Sequence, residues 1–462
     1  MGEMRFATQR PRPVAAVVSD GWRGALAGLM AWVLIVLMIA PDDFDYAALE
    51  ASLAAPTEGS ALSRALWISL LLIGVVIMLA RASLTWRLLR EMNPFLILFS
   101  VLALASVVWS ADPEVTVRRG IRVVTIFCDA VALAVAGWHV HRFQNVVRPA
   151  ITLILAGSIV FGLADPQLAI HNETSPELLG AWHGLASHKN GLGSLACIGV
   201  IFWADAWLSR HASAWRAIAG LAIACACLVL SRSSTSAMVS VITVGFLALL
   251  HFGSSTRRAY MPWLVTIFIS LLLFYSLVIL RVMPGSDLML KPIAHLTGKD
   301  LSFTGRSEIW DIIMEHIRYH PLLGTGLGAY WLGPFIGTPS YVFIERMQFY
   351  PGSAHNGYLE ITNDLGFVGL FCLAGFLAVY VKQALALGRF HHAQASLLLA
   401  LFLQQAIANL SESHWLSVLS VGFVIMSFAT TTLARGLLDQ RTWQRAQMRA
   451  AHTNGVLHAS RA

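Results

Sequence analysis

Apolar residues fall in runs of about 20 along most of this chain, separated by short polar turns. Such a run crosses a hydrocarbon core of roughly 30 Å as a helix. The windows lie near 22–40, 63–80, 94–110, 119–140, 148–165, 191–209, 214–231, 236–252, 262–281, 357–380, 395–410 and 418–434, which predicts about 12 transmembrane helices. Two windows, 236–252 and 395–410, are short, so ten or eleven spans stay open as well. One polar stretch breaks the pattern. It runs from Arg281 to Asn363 and predicts a large loop over 282–356, with amphipathic helices, between two spans. Its segment SEIWDIIMEHIR carries Ile309, Trp310, Ile312, Ile313 and Ile317 on one side, and Glu308, Asp311 and Glu315 mostly on the other. Thr304 or Ser307 is placed to cap it.

Composition sharpens the class. Of 462 residues 57% are hydrophobic and only 12% charged, against about 25% charged in soluble domains. The expectation is an all-α polytopic membrane protein, one integral membrane domain over 1–462, with no internal repeat, heptad pattern or second soluble domain. The first apolar run ends in APDDFDY instead of a small-residue cleavage site, so it reads as a retained span. A net charge of +7 fits basic loops facing anionic lipid better than it fits nucleic acid. With the N-terminus inside, about 20 of the 32 Lys and Arg fall on inner segments; of the 12 outside, 6 belong to the long loop, which the positive-inside rule barely governs. Both termini are therefore expected in the cytoplasm, with the long loop facing out. The tail LLDQRTWQRAQMRAAHTNG reads as a basic interfacial or frayed helix. Cys128, Cys197, Cys225, Cys227 and Cys372 sit in apolar runs without metal-ligand spacing and read as inert buried thiols, with Cys225 and Cys227 on different sides of one helix.

Under this topology the polar motifs WSADPEVTVRRGIR, HGLASHKNGLG and LSRSSTSA join the long loop on the outer side, which argues for an outward-facing polar chamber. Arg232 ends an apolar run among small polar residues; it either snorkels to the interface or offers its planar fork to an anion. Arg306 stands at a helix start, where a cation opposes the dipole, and either pairs with a carboxylate or serves a ligand. His355 lies where loop turns into helix, within the first turn if Ser353 is the cap. It either holds the loop or takes a proton from an alcohol, with Glu360 to orient it. GTGLG (324–328) lacks the strand and the Lys-Ser/Thr of a nucleotide loop and reads as a turn. Asp129, near the middle of a span, marks a proton path or a buried hydrogen bond, and no partner is evident.

The ordered set WSADPEVTVRRG, LVLSRSSTSA, TGRSEIWDIIMEHIRYHPLLGTGLGAYW and AHNGYLEITNDLGFVGL resembles the O-antigen ligase and polymerase superfamily, and SHKNGLG resembles its exopolysaccharide-polymerase branch. The motif-bearing core covers roughly 95–380. The resemblance implies a GT-C-like helical fold and an inverting glycosyltransferase that needs no metal or other cofactor. Its donor would be a glycan on undecaprenyl diphosphate, and it would act at the periplasmic face of the inner membrane. By motif, Arg232 and Arg306 engage the diphosphate, His355 assists the acceptor hydroxyl, and Lys189 adds a further basic position. Asn190, Asn356, Tyr358 and Glu360 stand beside these as possible support. A chain-length regulator or a flippase is the expected protein partner. The interval from Arg306 to His355 is compact for a ligase, which favours the polymerase. The alternative within the family is a ligase that moves finished glycan to lipid A core or protein. The alternative from another class is a secondary transporter, for which twelve spans with both ends inside is a common layout.

Overall fold

The structure, a computed structural model, describes residues 21–41, 44–47, 60–172, 178–252, 306–415 and 420–459, with four isolated positions between 263 and 270. It is helical throughout; among the described residues the β-type pairing is a single antiparallel bridge between Ile170 and Trp182. The chain begins with α1 (Gly21–Leu37), α2 (Ala61–Ala80), α3 (Ala82–Glu91), α4 (Pro94–Ala105) and α5 (Pro113–Val135). It continues with α6 (Arg142–Ala164), α7 (Lys189–Leu208), α8 (Ala214–Leu230) and α9 (Ser234–Phe252). After the undescribed stretch come α10 (Arg306–Tyr319), α11 (Val342–Met347), α12 (Gly357–Gly388), α13 (His392–Ala408) and α14 (Val421–Ala459).

Each expected apolar window holds a helix except 262–281, which lies almost wholly outside the described residues. By length and composition, α2, α6, α7, α9, α12 and α14 can each cross a membrane, and α3 with α4 makes a seventh if that bent pair is one span. A count of twelve would also need the shorter α1, α8 and α13, the charged α5 and the ninth window. The core lies along α7, α13 and α14, whose side chains are mostly buried, while α2 and α9 turn much of their apolar surface outward.

Local chemistry sets the boundaries. Asn93 and Asp112 each accept a backbone N–H at the start of α4 and α5, and each is followed by proline at the first helical position, where the missing N–H costs nothing. Asn93 is fully buried and also donates from Nδ2 to the carbonyl of Phe376 at 2.8 Å, tying α4 to α12. The Asn93–Pro94 corner bends the chain by 102° between α3 and the helical stretch Pro94–Val108.

Three features depart from the sequence reading. The 94–110 window is shorter as a helix and closes in a 3₁₀ turn at Ser106–Val108. The last helix runs on unbroken through the basic tail, because Arg435 and Arg441 find partners there in Asp439 and Glu91. And α12 is two helices: Gly366, at φ 64° and ψ −163°, breaks it, and the 321–322 carbonyls accept from Phe367 and Val368 at the start of the second half.

All five cysteines are free thiols; Cys128, Cys197, Cys227 and Cys372 are buried as expected, whereas Cys225, on the other side of its helix from Cys227, is exposed. Asp129 is 2% exposed and packs against Gly74 of α2, with no hydrogen-bond partner for either carboxylate oxygen among the described residues.

The polar motifs gather at one end of the bundle. The WSAD turn meets the GTGLG turn through Ala111 N–H to Thr325 O (2.9 Å) and Trp109 Nε1 to Leu323 O (2.9 Å). GTGLG in turn rests on the first half of α12, with Gly326 N–H donating to Asp364 O and Gly328 N–H to Asp364 Oδ2. The segment after α6 joins the start of α7 to the turn between α8 and α9, since Trp182 N–H donates to Leu230 O and Gly193 packs on Ser231, Ser233 and Ser236.

Candidate active site

The expected apolar side of α10 is the buried side: Ile309, Trp310, Ile312, Ile313 and Ile317 pack with Tyr330, Trp331, Phe343 and Leu359 into a small core of their own. This core fixes α10 beside the start of α12, with Arg306 in the first described turn of α10. Ser307 is helical and is not the cap, and Thr304 falls outside the described residues.

The start of α12 also differs from expectation. Asn356 is its cap, with Oδ1 accepting from Tyr358 and Leu359 at 3.0 and 3.2 Å. His355 precedes the helix at φ 46°, a left-handed conformation that few side chains adopt without support, and its N–H donates to Ser353 Oγ at 3.4 Å. The support comes from the loop between α13 and α14. Gly357 N–H donates to the carbonyls of Asn409 (2.9 Å) and Glu412 (3.1 Å). A Cβ at position 357 would lie 1.9 Å from Asn409 Oδ1 and 3.2 Å from Trp415 N, so the close approach of the Asn409 amide and its loop favours glycine here. The buried Asn409 also accepts from His414 N–H at 2.8 Å, folding its loop over the helix start.

That fold brings in a residue the motifs did not mark. Glu412 Oε1 accepts from Asn190 Nδ2 at 2.8 Å and pairs with Arg306 Nη2 at 3.3 Å, while Oε2 lies 3.6 Å from His355 Nδ1. Each of Arg306, His355 and Glu412 keeps between 21% and 30% of its side chain exposed, so the group is desolvated yet open to a ligand. Burial pushes the Glu412 carboxyl up, but the approach of His355 and the charge of Arg306 outweigh it and hold the group down at about 2. The carboxylate is thus ionised throughout the neutral range. The available signal was its place: NLSESHW lies between the last two windows, on the side assigned to every other polar motif.

Glu360 does not orient the imidazole directly. Its Oε2 accepts from Ala354 N–H at 2.7 Å and from Ser413 Oγ at 3.1 Å, and Ser413 Oγ accepts from Asn356 N–H at 3.2 Å. Spacing explains the difference: five residues along a helix turn the carboxylate away from the ring and toward the backbone on either side of it. Tyr358 donates its hydroxyl to Ala406 O at 3.1 Å and so serves packing between α12 and α13. The backbone N–H of Lys189 donates to His171 Nε2 at 3.2 Å, and His188 caps α7 by accepting from Asn190 N–H, which sets Asn190 toward Glu412.

Arg232 has its own anchorage. At φ 49° it is the second site candidate in the left-handed region, and its exposed side chain donates from Nη1 to Leu179 O at 2.8 Å. One of its five donors is thereby used. The structure joins Arg306, His355 and Asn190 through Glu412, and places Arg232 at the same end of the bundle on the neighbouring loop. Among the described residues no three His, Cys, Asp or Glu groups are placed to share a metal ion.

Comparison with known proteins agrees with the motif order. The family model described as O-antigen ligase matches residues 219–374, which include Arg232, Arg306 and His355 and stop short of Glu412. The exopolysaccharide production protein ExoQ of Rhizobium meliloti (strain 1021) is 27% identical over 290 residues, covering 60% of this chain and 61% of that protein. The match therefore spans less than two thirds of that relative's length.

Proposed function

We propose that this chain, similar over residues 219–374 to the O-antigen ligase family and over 290 residues to an exopolysaccharide production protein, is an inverting membrane glycosyltransferase that polymerises undecaprenyl-diphosphate-linked oligosaccharide repeat units at the periplasmic face of the inner membrane. The observation that carries the reading is the meeting of Arg306 and His355 on one ionised carboxylate, Glu412.

In the proposed step the acceptor hydroxyl oxygen attacks C1 of the donor sugar from the face opposite the diphosphate. The new C1–O bond forms as the C1–O bond to the diphosphate breaks, and the hydroxyl proton passes to His355. Because Nδ1 faces Glu412, Nε2 is the nitrogen that takes the proton, and the imidazolium then stands beside a carboxylate. Arg232 and Arg306, with Lys189 at hand, meet the charge that stays on undecaprenyl diphosphate. Diphosphate is already a good leaving group, so these side chains do the work that a metal or a nucleotide does elsewhere. The flanking spans hold the lipid carrier in the bilayer, with a flippase to deliver it and a chain-length regulator to limit the product.

The test is a purified-protein assay with lipid-linked donor in which donor binding and glycan transfer are measured separately. His355→Gln, similar in reach but unable to act as a base, should bind donor as the wild type does and lose about 10²–10⁴-fold in transfer. Transfer by this variant near the wild-type rate would reduce the histidine to a loop-positioning role.

The printed description of the family favours a second reading, ligation of finished glycan to lipid A core or protein. The product of a null mutant separates the two. Single lipid-linked repeat units mean a lost polymerase, whereas full-length lipid-linked polymer means a lost ligase. The same family match speaks against the transporter alternative.

A further inference from the structure

Three histidines meet where the chain enters α7, and the transfer step uses none of them. The ring centre of His171 lies 4.8 Å from that of His183 and 5.1 Å from that of His188. Each ring has one nitrogen committed to backbone. His183 is buried and donates from Nδ1 to Ala186 O at 2.8 Å, and His171 Nε2 accepts from Lys189 N–H at 3.2 Å. His188 Nδ1 accepts from Asn190 N–H at 3.3 Å.

The last of these bonds decides the chemistry of its ring. His188 is the N-cap of α7, a place usually held by Ser, Thr, Asp or Asn. A capping nitrogen must offer a lone pair, so the ring is neutral and its one proton sits on Nε2. The dipole of α7 favours the same form. Burial, followed by the neighbouring His171, pushes the imidazole down to about 4 against the pull of Glu412, so the neutral form holds through the neutral range. His188 is thus a hydrogen-bond donor and not a base.

The ring also stands beside the candidate site. Asn190, whose backbone meets His188, gives its side-chain Nδ2 to Glu412 Oε1 at 2.8 Å, the carboxylate shared by Arg306 and His355. The His188 side chain is exposed, yet protein surrounds it closely enough for burial to move its titration, so the ring lines a concave space open to solvent. Among the described residues its hydrogen bond is the one from Asn190, which leaves Nε2–H for a ligand. A lipid-linked glycan brings two kinds of acceptor, diphosphate and sugar oxygens. Cations serve the first, and a neutral donor held at one place suits the second, where a single hydrogen bond tells one sugar oxygen from another.

We propose that His188 is a glycan-binding residue whose Nε2–H donates to a sugar oxygen in the active-site chamber. This role rests on the transferase reading, and the sugar is that of the donor or of the acceptor.

Two substitutions separate the two nitrogens. Asparagine is itself a preferred cap, so His188→Asn keeps α7 capped and removes the outward N–H. Glutamine carries an amide N–H near the place of Nε2 but is not a preferred cap. Equilibrium binding to the full-length protein in detergent is measured for the repeat-unit oligosaccharide, released from lipid-linked material by mild acid, and for inorganic pyrophosphate. His188→Asn should weaken the oligosaccharide about 3- to 10-fold, leave pyrophosphate unchanged and unfold at the wild-type temperature. His188→Gln should bind the oligosaccharide better than His188→Asn and unfold at a lower temperature. Wild-type oligosaccharide affinity in His188→Asn would overturn the assignment and reduce the histidine to a cap. A loss confined to pyrophosphate would also overturn it, by making His188 a phosphate ligand. A wild-type protein that binds neither probe would instead bring down the transferase reading, and this role with it. Transfer assays that vary the lipid-linked unit and the soluble oligosaccharide separately then distinguish the two sugars. A rise in KM for either one in His188→Asn supports the contact and names the sugar that makes it.

Discussion

Glu412 Oε2 lies 3.6 Å from Nδ1 of His355, near enough for charge to act and just beyond hydrogen-bond reach. Its carboxyl is held at about 2 against an ordinary value of 4.5, so the folded state gives up this proton more readily than the unfolded chain. The stability this contributes is fully present above the unfolded value and is lost as pH falls through about 4 toward 2. Unfolding midpoints measured from pH 7 to pH 2.5 should therefore fall less steeply below pH 4.5 in Glu412→Gln than in the wild type. Equal slopes would mean that the carboxylate is not held by its neighbours. The same variant keeps the shape but not the charge, and its transfer rate should drop by roughly 10- to 100-fold.

The two diphosphate candidates are expected to lose activity on substitution to different extents. Arg232→Ala and Arg306→Ala should each cost about 10- to 100-fold in glycan transfer, the size of one or two charge-assisted hydrogen bonds. Lysine at either position should recover only part, because it cannot present the planar fork. Arg306→Ala also frees Glu412 from one partner, so its loss should exceed that of Arg232→Ala. Full activity of both alanine variants at normal expression would return the chain to the transporter reading.

Much of the helical layout was legible because apolar runs and proline or glycine punctuation are local signals. The buried side of α10 could be read residue by residue, since Ile309, Ile313 and Ile317 recur at helical spacing. The break at Gly366 could not, because what holds it is the carbonyls of residues 321–322, supplied by another part of the chain. The same limit hid Glu412. His355 and Arg306 stand inside recognisable motifs, but the carboxylate between them comes from the last polar loop, and only packing on Gly357 and Asn409 brings it there. Glu360 was expected to orient the His355 ring, whereas its carboxylate accepts from the Ala354 backbone and from Ser413.

Topology gives an independent check. The arginine–tryptophan pairs Arg23–Trp22, Arg90–Trp86 and Arg216–Trp215 lie at the end of the bundle opposite the polar motifs, and the positive-inside rule predicts that this end faces the cytoplasm. Reporter fusions after Phe252 and after Met347 should therefore show cytoplasmic and periplasmic locations respectively. The same location for both would remove the outward-facing chamber and the access to a periplasmic acceptor.

Glu360 offers the most discriminating test of how the site is held. Its single oxygen Oε2 joins the residue before His355 to the residue after Glu412, a link that can hold the distance between the proposed base and the carboxylate without touching either. Glu360→Gln retains a carbonyl oxygen that can accept from Ala354 and should stay folded with most of its donor affinity. Glu360→Ala leaves the Ala354 N–H and the Ser413 hydroxyl unpartnered, at about 1–3 kcal/mol for each buried group. A residue that only stabilised the fold would lower the amount of active protein and leave kcat and KM per folded molecule unchanged. A brace for the catalytic pair should instead lower kcat about 10-fold or more in Glu360→Ala, with KM for the lipid-linked donor little changed, because a misplacement of about 1 Å can cost 10²-fold. Ser413→Ala should produce a smaller loss of the same kind, and the double variant should lose less than the product of the two single effects, since both cut the same link. Multiplicative losses in that cycle would separate Glu360 from Ser413 and leave the His355–Glu412 geometry to Asn409 and Gly357 alone.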